Sequence, residues 1–272
     1  MKVMQIQRGA ISILVSVSLI GSSLPMTAHA RPVMDQPPPH ASGNPNNQGN
    51  PNQDKDKDDQ GNNKKKPAKR VSKEEQDARI RKQQANMQLY KQNIALREEV
   101  AERDEQILRQ QKRIAHLRFQ EAYRQRLLQQ RTALMNARYD YYNDPFYYTG
   151  PSYRYRRGAQ YYTTNEIGIG VLKQALNQGY KEGYRAGRAD REDRWRFDPH
   201  SSFAYQDANF GYDGRYVAQD EYNYYFREGF DRGYEDGYYG RRKYGSGGDD
   251  NNEWWIAAGV IGAILAIQAI ND

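Results

Sequence analysis

Cysteine is absent from this chain of 272 residues. Its absence excludes disulfides, thiolate metal sites, a cysteine nucleophile and the lipidated cysteine of a lipoprotein. Histidine is scarce: His29, His40, His116 and His200 stand alone, with no HExxH pattern and no carboxylate spacing suited to zinc. No G-x-S-x-G elbow and no phosphate-binding loop occur. Gly168-Ile169-Gly170 lacks a third glycine and a convincing preceding strand. The nearest thing to a metal motif is Asn209-x-Gly211-x-Asp213-Gly214, running on to Asp220. It copies the glycine and the final acid of a calcium loop, but Asn and Gly replace the first two acidic ligands. A tight turn at Asp213-Gly214 is the better reading. The sequence therefore points away from an enzyme and offers no catalytic residue, cofactor site or metal ligand.

Apolar side chains are also few. They make up 37% of the residues, many of them tyrosine, and the mean hydropathy is −1.09. A single large buried core is excluded, and a folded part joined to extended segments is expected.

What the chain does have begins with an export signal over residues 1–30. Lys2 and Arg8 form the positive region, Ala10 to Ile20 the apolar run, and Ala28-His29-Ala30 a small-residue cleavage site. The run is too short for the roughly 20 residues that span a bilayer. Cleavage after Ala30 leaves 39 basic against 34 acidic side chains, a net charge of +5. An exported chain without cysteine fits the periplasm or envelope of a bacterium. The modest basic excess favours an anionic wall polymer or lipid as partner, and export argues against nucleic acid.

Residues 31–72 read as a disordered linker, rich in Pro, Asn, Gly, Asp and Lys, with too little apolar surface to offset ordering. Residues 73–138 contain no Gly or Pro and are dominated by good helix formers, with Ser72 and Glu75 as a capping pair. Val100, Ile107, Ile114, Leu128 and Met135 recur at steps of seven or fourteen, though their companion positions are mostly polar. The expectation is one long basic helix that self-associates as a coiled coil or packs on a partner. Tyrosine then changes the composition: 21 of the 23 tyrosines lie at or after Tyr139. Residues 139–164 read as a Tyr-rich connector. The cluster Tyr153-Arg154-Tyr155-Arg156-Arg157 suits sugar stacking, a grip on anionic polymers, or cover for a small core.

Residues 165–248 are organised by an internal repeat at an offset of 50 residues. Gly179-Tyr180-Lys181-Glu182-Gly183-Tyr184-Arg185-Ala186-Gly187 recurs as Gly229-Phe230-Asp231-Arg232-Gly233-Tyr234-Glu235-Asp236-Gly237. Gly at i, i+4 and i+8 lies on one helix face, and close approach of another helix would offset the cost of about 1 kcal/mol per glycine. Two helices are expected, about 165–192 and 218–239, with tyrosine rings over glycine backbone. The helix-packing residues are Gly179, Gly183, Gly187, Gly229, Gly233 and Gly237. Charges invert between the copies at Lys181, Glu182 and Arg185, which suggests that the copies pair. This pattern resembles signal-bearing bacterial exported proteins with paired G-[YF]-x-x-G-[YF]-x-x-G segments. The resemblance covers roughly residues 170–244 and implies no activity.

Residues 254–270 form an apolar tail with only Gln268 strongly polar. It reads as an apolar C-terminal helix near the lower length limit for a membrane span, with Trp254 and Trp255 as candidate interface anchors. The fold class expected is mainly α. The function expected is a non-enzymatic structural or interaction protein of the cell envelope, self-associating or docking a partner through its long helix. The alternative is a soluble periplasmic binder, a holdase or wall-polymer binder using basic helices and exposed tyrosines.

Overall fold

The computed structural model describes residues 69–247 and 254–270; the signal and most of the linker lie outside these described residues. The fold is mainly helical with a small sheet. Helix α1 runs Lys73–Gln110 and α2 Ile114–Asn136, followed by a short helix α3, Pro145–Tyr148. Strands β1 (Tyr153–Arg157) and β2 (Gln160–Thr164) lead into α4, Glu166–Glu192. After a single 3-10 turn come α5 (Phe203–Asp207) and α6 (Gln219–Tyr239). The C-terminal segment holds β3 (Gly245–Gly247), β4 (Trp254–Ile256), α7 (Ala258–Leu265) and β5 (Gln268–Ala269).

The centre of the fold is the pair α4 and α6. A Cβ built on Gly179, Gly183 or Gly187 would lie 1.8 to 2.2 Å from the carbonyl oxygens of Phe226, Phe230 and Tyr234. The reverse holds for Gly229, Gly233 and Gly237 against Leu176, Tyr180 and Tyr184. The matched positions ascend together, so the helices are parallel. The two sets also superpose under the 50-residue offset, so the repeats are related by a local two-fold. The glycines lie backbone to backbone; tyrosine rings do not cover them as the sequence suggested. On α6 the rings of Tyr222, Phe226, Phe230, Tyr234 and Tyr238 form a ladder with centroids 6.0 to 6.4 Å apart, which supplies much of the core. Each helix also sends a hydroxyl to a buried carboxylate on the other: Tyr180 to Asp236 at 2.9 Å and Tyr234 to Asp190 at 2.5 Å. The inverted charges do not pair between copies. Arg185 pairs with Glu182 and Arg232 with Glu228, each within its own helix.

The single long helix expected over 73–138 is instead two antiparallel helices. Glu105 meets Arg124, Glu98 meets Arg131 and the Ala101 carbonyl meets Gln120. The break falls at Lys112, in the left-handed region at φ 57° without a glycine. Tertiary contacts outweigh the roughly 1–2 kcal/mol this costs. Asp193, at the end of α4, accepts from the Ala115 and His116 amides at 2.9 and 2.8 Å and so caps α2 from outside the helix. The buried Arg113 lies 4.6 Å over the Trp195 ring and bonds Asp190.

Ser72 accepts from the Glu75 amide at 3.2 Å and opens α1. The buried stripe of α1 is Gln76, Ile80, Gln83, Met87, Tyr90, Ala101, Glu105 and Leu108. The heptad trace read from the sequence faces outward: Val100 is 41% exposed, Ile107 48% and Ile114 46%. The connector over 139–164 is not featureless, since β1 and β2 form an antiparallel hairpin. Within it Tyr155 faces inward while Arg154 and Arg156 face out.

The tail does not form one helix over 254–270. β4 pairs with β3, and β5 joins β1 as the third strand of the order β2-β1-β5. The α7 helix between them has eight residues and ends at Ala266, φ 43°. Ile256 and Leu265 are buried in the core. Gly259 and Gly262 weaken α7, and the strand edges available on β1 and β3 capture the flanks. Among the described residues no helix is long and apolar enough to cross a membrane.

Candidate anion-binding groove

Helices α2 and α4 lie side by side, and the groove between them has a volume of about 310 Å³. From α2 it is lined at Ala115, Arg118, Phe119, Ala122 and Arg126, which share one face by helical spacing. From α4 it is lined at Tyr184, Arg185, Arg188, Ala189 and Glu192, again one face. The alanines keep the floor low, so long guanidinium side chains can stand around a recess rather than fill it.

Four arginines thus border one groove. Glu182 sits beneath them, fully buried, and its carboxylate accepts from Arg126 at 2.5 Å and Arg185 at 2.6 Å. Burial pushes the Glu182 carboxyl up, and the two guanidinium groups oppose that rise. Glu182 therefore fixes Arg126 and Arg185 in place. Arg126 also lies 5.2 Å over the Phe210 ring, and its Nε has no hydrogen-bond partner. Arg118 and Arg188 are exposed and carry no hydrogen bond or ion pair to the described residues. Among the described residues that line the groove, Glu192 is the one carboxylate, against four arginines, two of which are held by Glu182 beneath. Paired guanidinium forks on a rigid frame suit carboxylate or phosphate oxygens.

The groove is held open at one end by a buried network that sequence reasoning missed. His116 is buried, with its Nδ1 2.7 Å from an Asp190 carboxylate oxygen. Asp190 also accepts from Arg113 at 2.5 Å and from Tyr234. Burial works to raise the Asp190 carboxyl, but the hydrogen bonds from His116, Tyr234 and Arg113 outweigh it and hold the group below its ordinary value. Because that carboxylate stays ionised, the proton of the pair belongs on His116 Nδ1. The network ties α2 to both α4 and α6. The signal in the sequence was the Arg113–His116 spacing at a helix start, which is visible only once the break at Lys112 is known.

The other singled-out residues are not brought together. Asn209 is buried on Asp207, Asp213 pairs with Arg215 at 2.7 Å, and Asp220 pairs with Arg157 at 2.9 Å. Gly214 takes φ 78°, as a turn at Asp213-Gly214 requires. No metal-binding group of three His, Asp or Glu occurs among the described residues. A strand, β2, does precede Gly168 and Gly170, but both glycines lie inside α4, whose amides are capped by Asn165. His200 stacks on Tyr205 at 4.3 Å and lies 3.2 Å from Asp231. Trp255 is exposed, with the Lys181 ammonium 6.0 Å from its ring. The Trp254 side chain, His29 and His40 lie outside what the structure describes. No family model, characterised protein or solved structure matches the chain.

Proposed function

We propose that this chain is an exported, non-enzymatic binding protein of the bacterial cell envelope that holds an anionic, phosphate-bearing wall polymer in the groove between α2 and α4. The observation that carries this reading is the convergence of four arginines on one groove, two of them without a carboxylate partner. A tail folded back onto β1 and β3 supports a binder over a scaffold tethered through residues 254–270. Retention on isolated cell-wall material tests it. The mature chain should be retained at low salt and eluted as ionic strength rises, since exposed charge is screened within about 10 Å at 0.1 M. Arg118→Gln with Arg188→Gln should pass through unretained. Equal retention of both proteins in low salt would remove the proposal.

One observation favours a second reading, self-association through α1. Leu89, Leu96, Val100 and Ile107 share its outer face and are all exposed, Leu96 at 62%. In an antiparallel two-fold pairing Leu89 opposes Ile107 and Leu96 opposes Val100, a self-complementary seam. Sedimentation equilibrium should then show a dimer that Leu96→Glu converts to monomer. A monomer at all concentrations would end this reading without touching the first.

A further inference from the structure

Strand β2 lies at one end of the order β2-β1-β5 and pairs on one side only. Its peptide groups alternate between β1 and the free edge. The Thr164 carbonyl accepts from the Ser152 amide at 3.0 Å, on the β1 side. Arg157 and Gln160 bracket the two-residue turn Gly158-Ala159 and so also face each other across the hairpin. By this alternation the amide and carbonyl of Tyr161 and of Thr163 point away from β1. Neither residue's backbone has a partner beyond the hairpin among the described residues. Natural sheets protect such edges with charge, proline or a bulge. Gln160–Thr164 contains no charged residue and no proline, and its register with β1 runs without a bulge.

A cavity of about 350 Å³ adjoins this edge. Thr163 and Thr164 both line it; neighbours on a strand face opposite ways, so the cavity opens on the edge and not on one face. From α1 it is lined at Lys82 and Asn86, and Phe146 and Tyr216, with ring centroids 5.0 Å apart, add an aromatic surface. The space between strand and helix admits one extended chain. A second copy paired here would bring further strands toward α1, so a single peptide is the better occupant.

The charges on the walls select among peptides. Arg79 is committed to Glu75 at 2.6 Å and to the Thr149 carbonyl at 2.9 Å. Glu221 accepts from the Tyr155 hydroxyl and lies in the field of the Arg157 guanidinium. Lys82 is exposed, and its ammonium has no partner among the described residues. The unanswered charge on the cavity is therefore positive, and a carboxylate on the bound chain answers it.

We propose that an extended, acidic peptide segment binds as a further strand on β2, exchanging backbone hydrogen bonds with Tyr161 and Thr163 and setting a carboxylate against Lys82. Main-chain pairing supplies the affinity, and the cavity walls choose the side chains. The site is separate from the arginine groove and does not rest on it.

The test is calorimetry and amide-exchange NMR on the mature chain with the blocked pentapeptide acetyl-Thr-Val-Glu-Val-Thr-amide. The peptide should bind, and the Tyr161 and Thr163 amides should gain protection from exchange while those of Tyr162 and Thr164 stay as they were. Of two counterparts N-methylated on alternate residues, one should lose binding and the other keep it, as strand pairing requires. Thr163→Pro removes only an outward-facing amide and should weaken binding about tenfold. Lys82→Gln should weaken binding of the Glu peptide about tenfold and leave that of its Gln counterpart unchanged. Both variants should keep the retention on wall material seen for the native chain. The proposal is overturned if the peptide does not bind, if both N-methylated counterparts bind alike, or if Lys82→Gln leaves affinity as it was. Protection of Tyr161 and Thr163 that rises with protein concentration in the absence of peptide would put a second copy on the edge and equally overturn it.

Discussion

Glycine does two different things within α4, and the contrast gives a sharp test of how the helix pair is held. Gly183 faces the Phe230 carbonyl, where an added Cβ would sit 2.1 Å from the oxygen, and backbone cannot yield as a side-chain tip can. Gly170, one turn into the same helix, has nothing within 4 Å of the same position. Gly183→Ala should therefore destabilise by about 3 kcal/mol or more, the upper range for overpacking. Gly170→Ala should stabilise by about 0.5–1 kcal/mol through helix propensity and chain entropy. Urea unfolding of the two variants checks both signs at once; equal effects would mean that α4 and α6 do not touch in solution. Asp190 gives a second test at this scale. Its carboxyl is held below the ordinary value, so its contribution is in place above the unfolded-chain pKa of about 3.9 and is lost as pH falls through the lower folded value. Glu182 and Glu221, raised by burial, act in the opposite direction, so the comparison must be with Asp190→Asn. The stability difference between that variant and the native chain should be large at pH 7 and shrink below pH of about 4. A difference independent of pH would show that Asp190 is not an ionised partner of His116 and Arg113.

Among the elements, those set by backbone rules were the most legible. The glycine repeat placed α4 and α6 within about a residue of Glu166–Glu192 and Gln219–Tyr239. Elements decided by distant contacts were not. The α1–α2 break lies in a run of helix formers, and distant partners, Asp190, Asp193 and Trp195, support the left-handed Lys112. The buried stripe of α1 was hidden because three of its eight residues are polar: Gln76 and Gln83 reach the carbonyls of Tyr142 and Gly214, and Glu105 meets Arg124. The apolar heptad that stood out lies on the outer face instead. The same applies to the arginine groove, whose two walls come from residues at least 58 positions apart in the chain, Arg126 and Tyr184 being the nearest pair. Hydropathy made the tail look like one helix, whereas hydrogen bonding to β1 and β3 divides it into three short elements. A chain ending at Asn252 should accordingly unfold at a lower temperature, since Ile256 and Leu265 leave the core. Thermal unfolding measures this. A truncation as stable as the full chain would mean that the tail is not part of the fold.

For the folded part as a whole, charge is sorted by surface rather than spread evenly. Inversion of charge between the repeats does not join the copies; it gives α4 an arginine face toward α2, while α6 carries Asp231 and Glu235 elsewhere. A local two-fold in backbone packing thus coexists with two chemically different surfaces, and the modest net charge of the chain conceals a concentrated cationic groove. The buried network through Asp190 links α2, which forms one wall of the groove, to the glycine-packed pair. The most direct measurement is a calorimetric titration of the mature chain with inorganic polyphosphate at low and at moderate ionic strength. The native protein should bind at low salt, lose affinity steeply as salt rises, and bind at least tenfold more weakly when Arg118 and Arg188 are both replaced by glutamine. Binding that is absent from the native chain, or that survives both substitutions unchanged, would contradict the account.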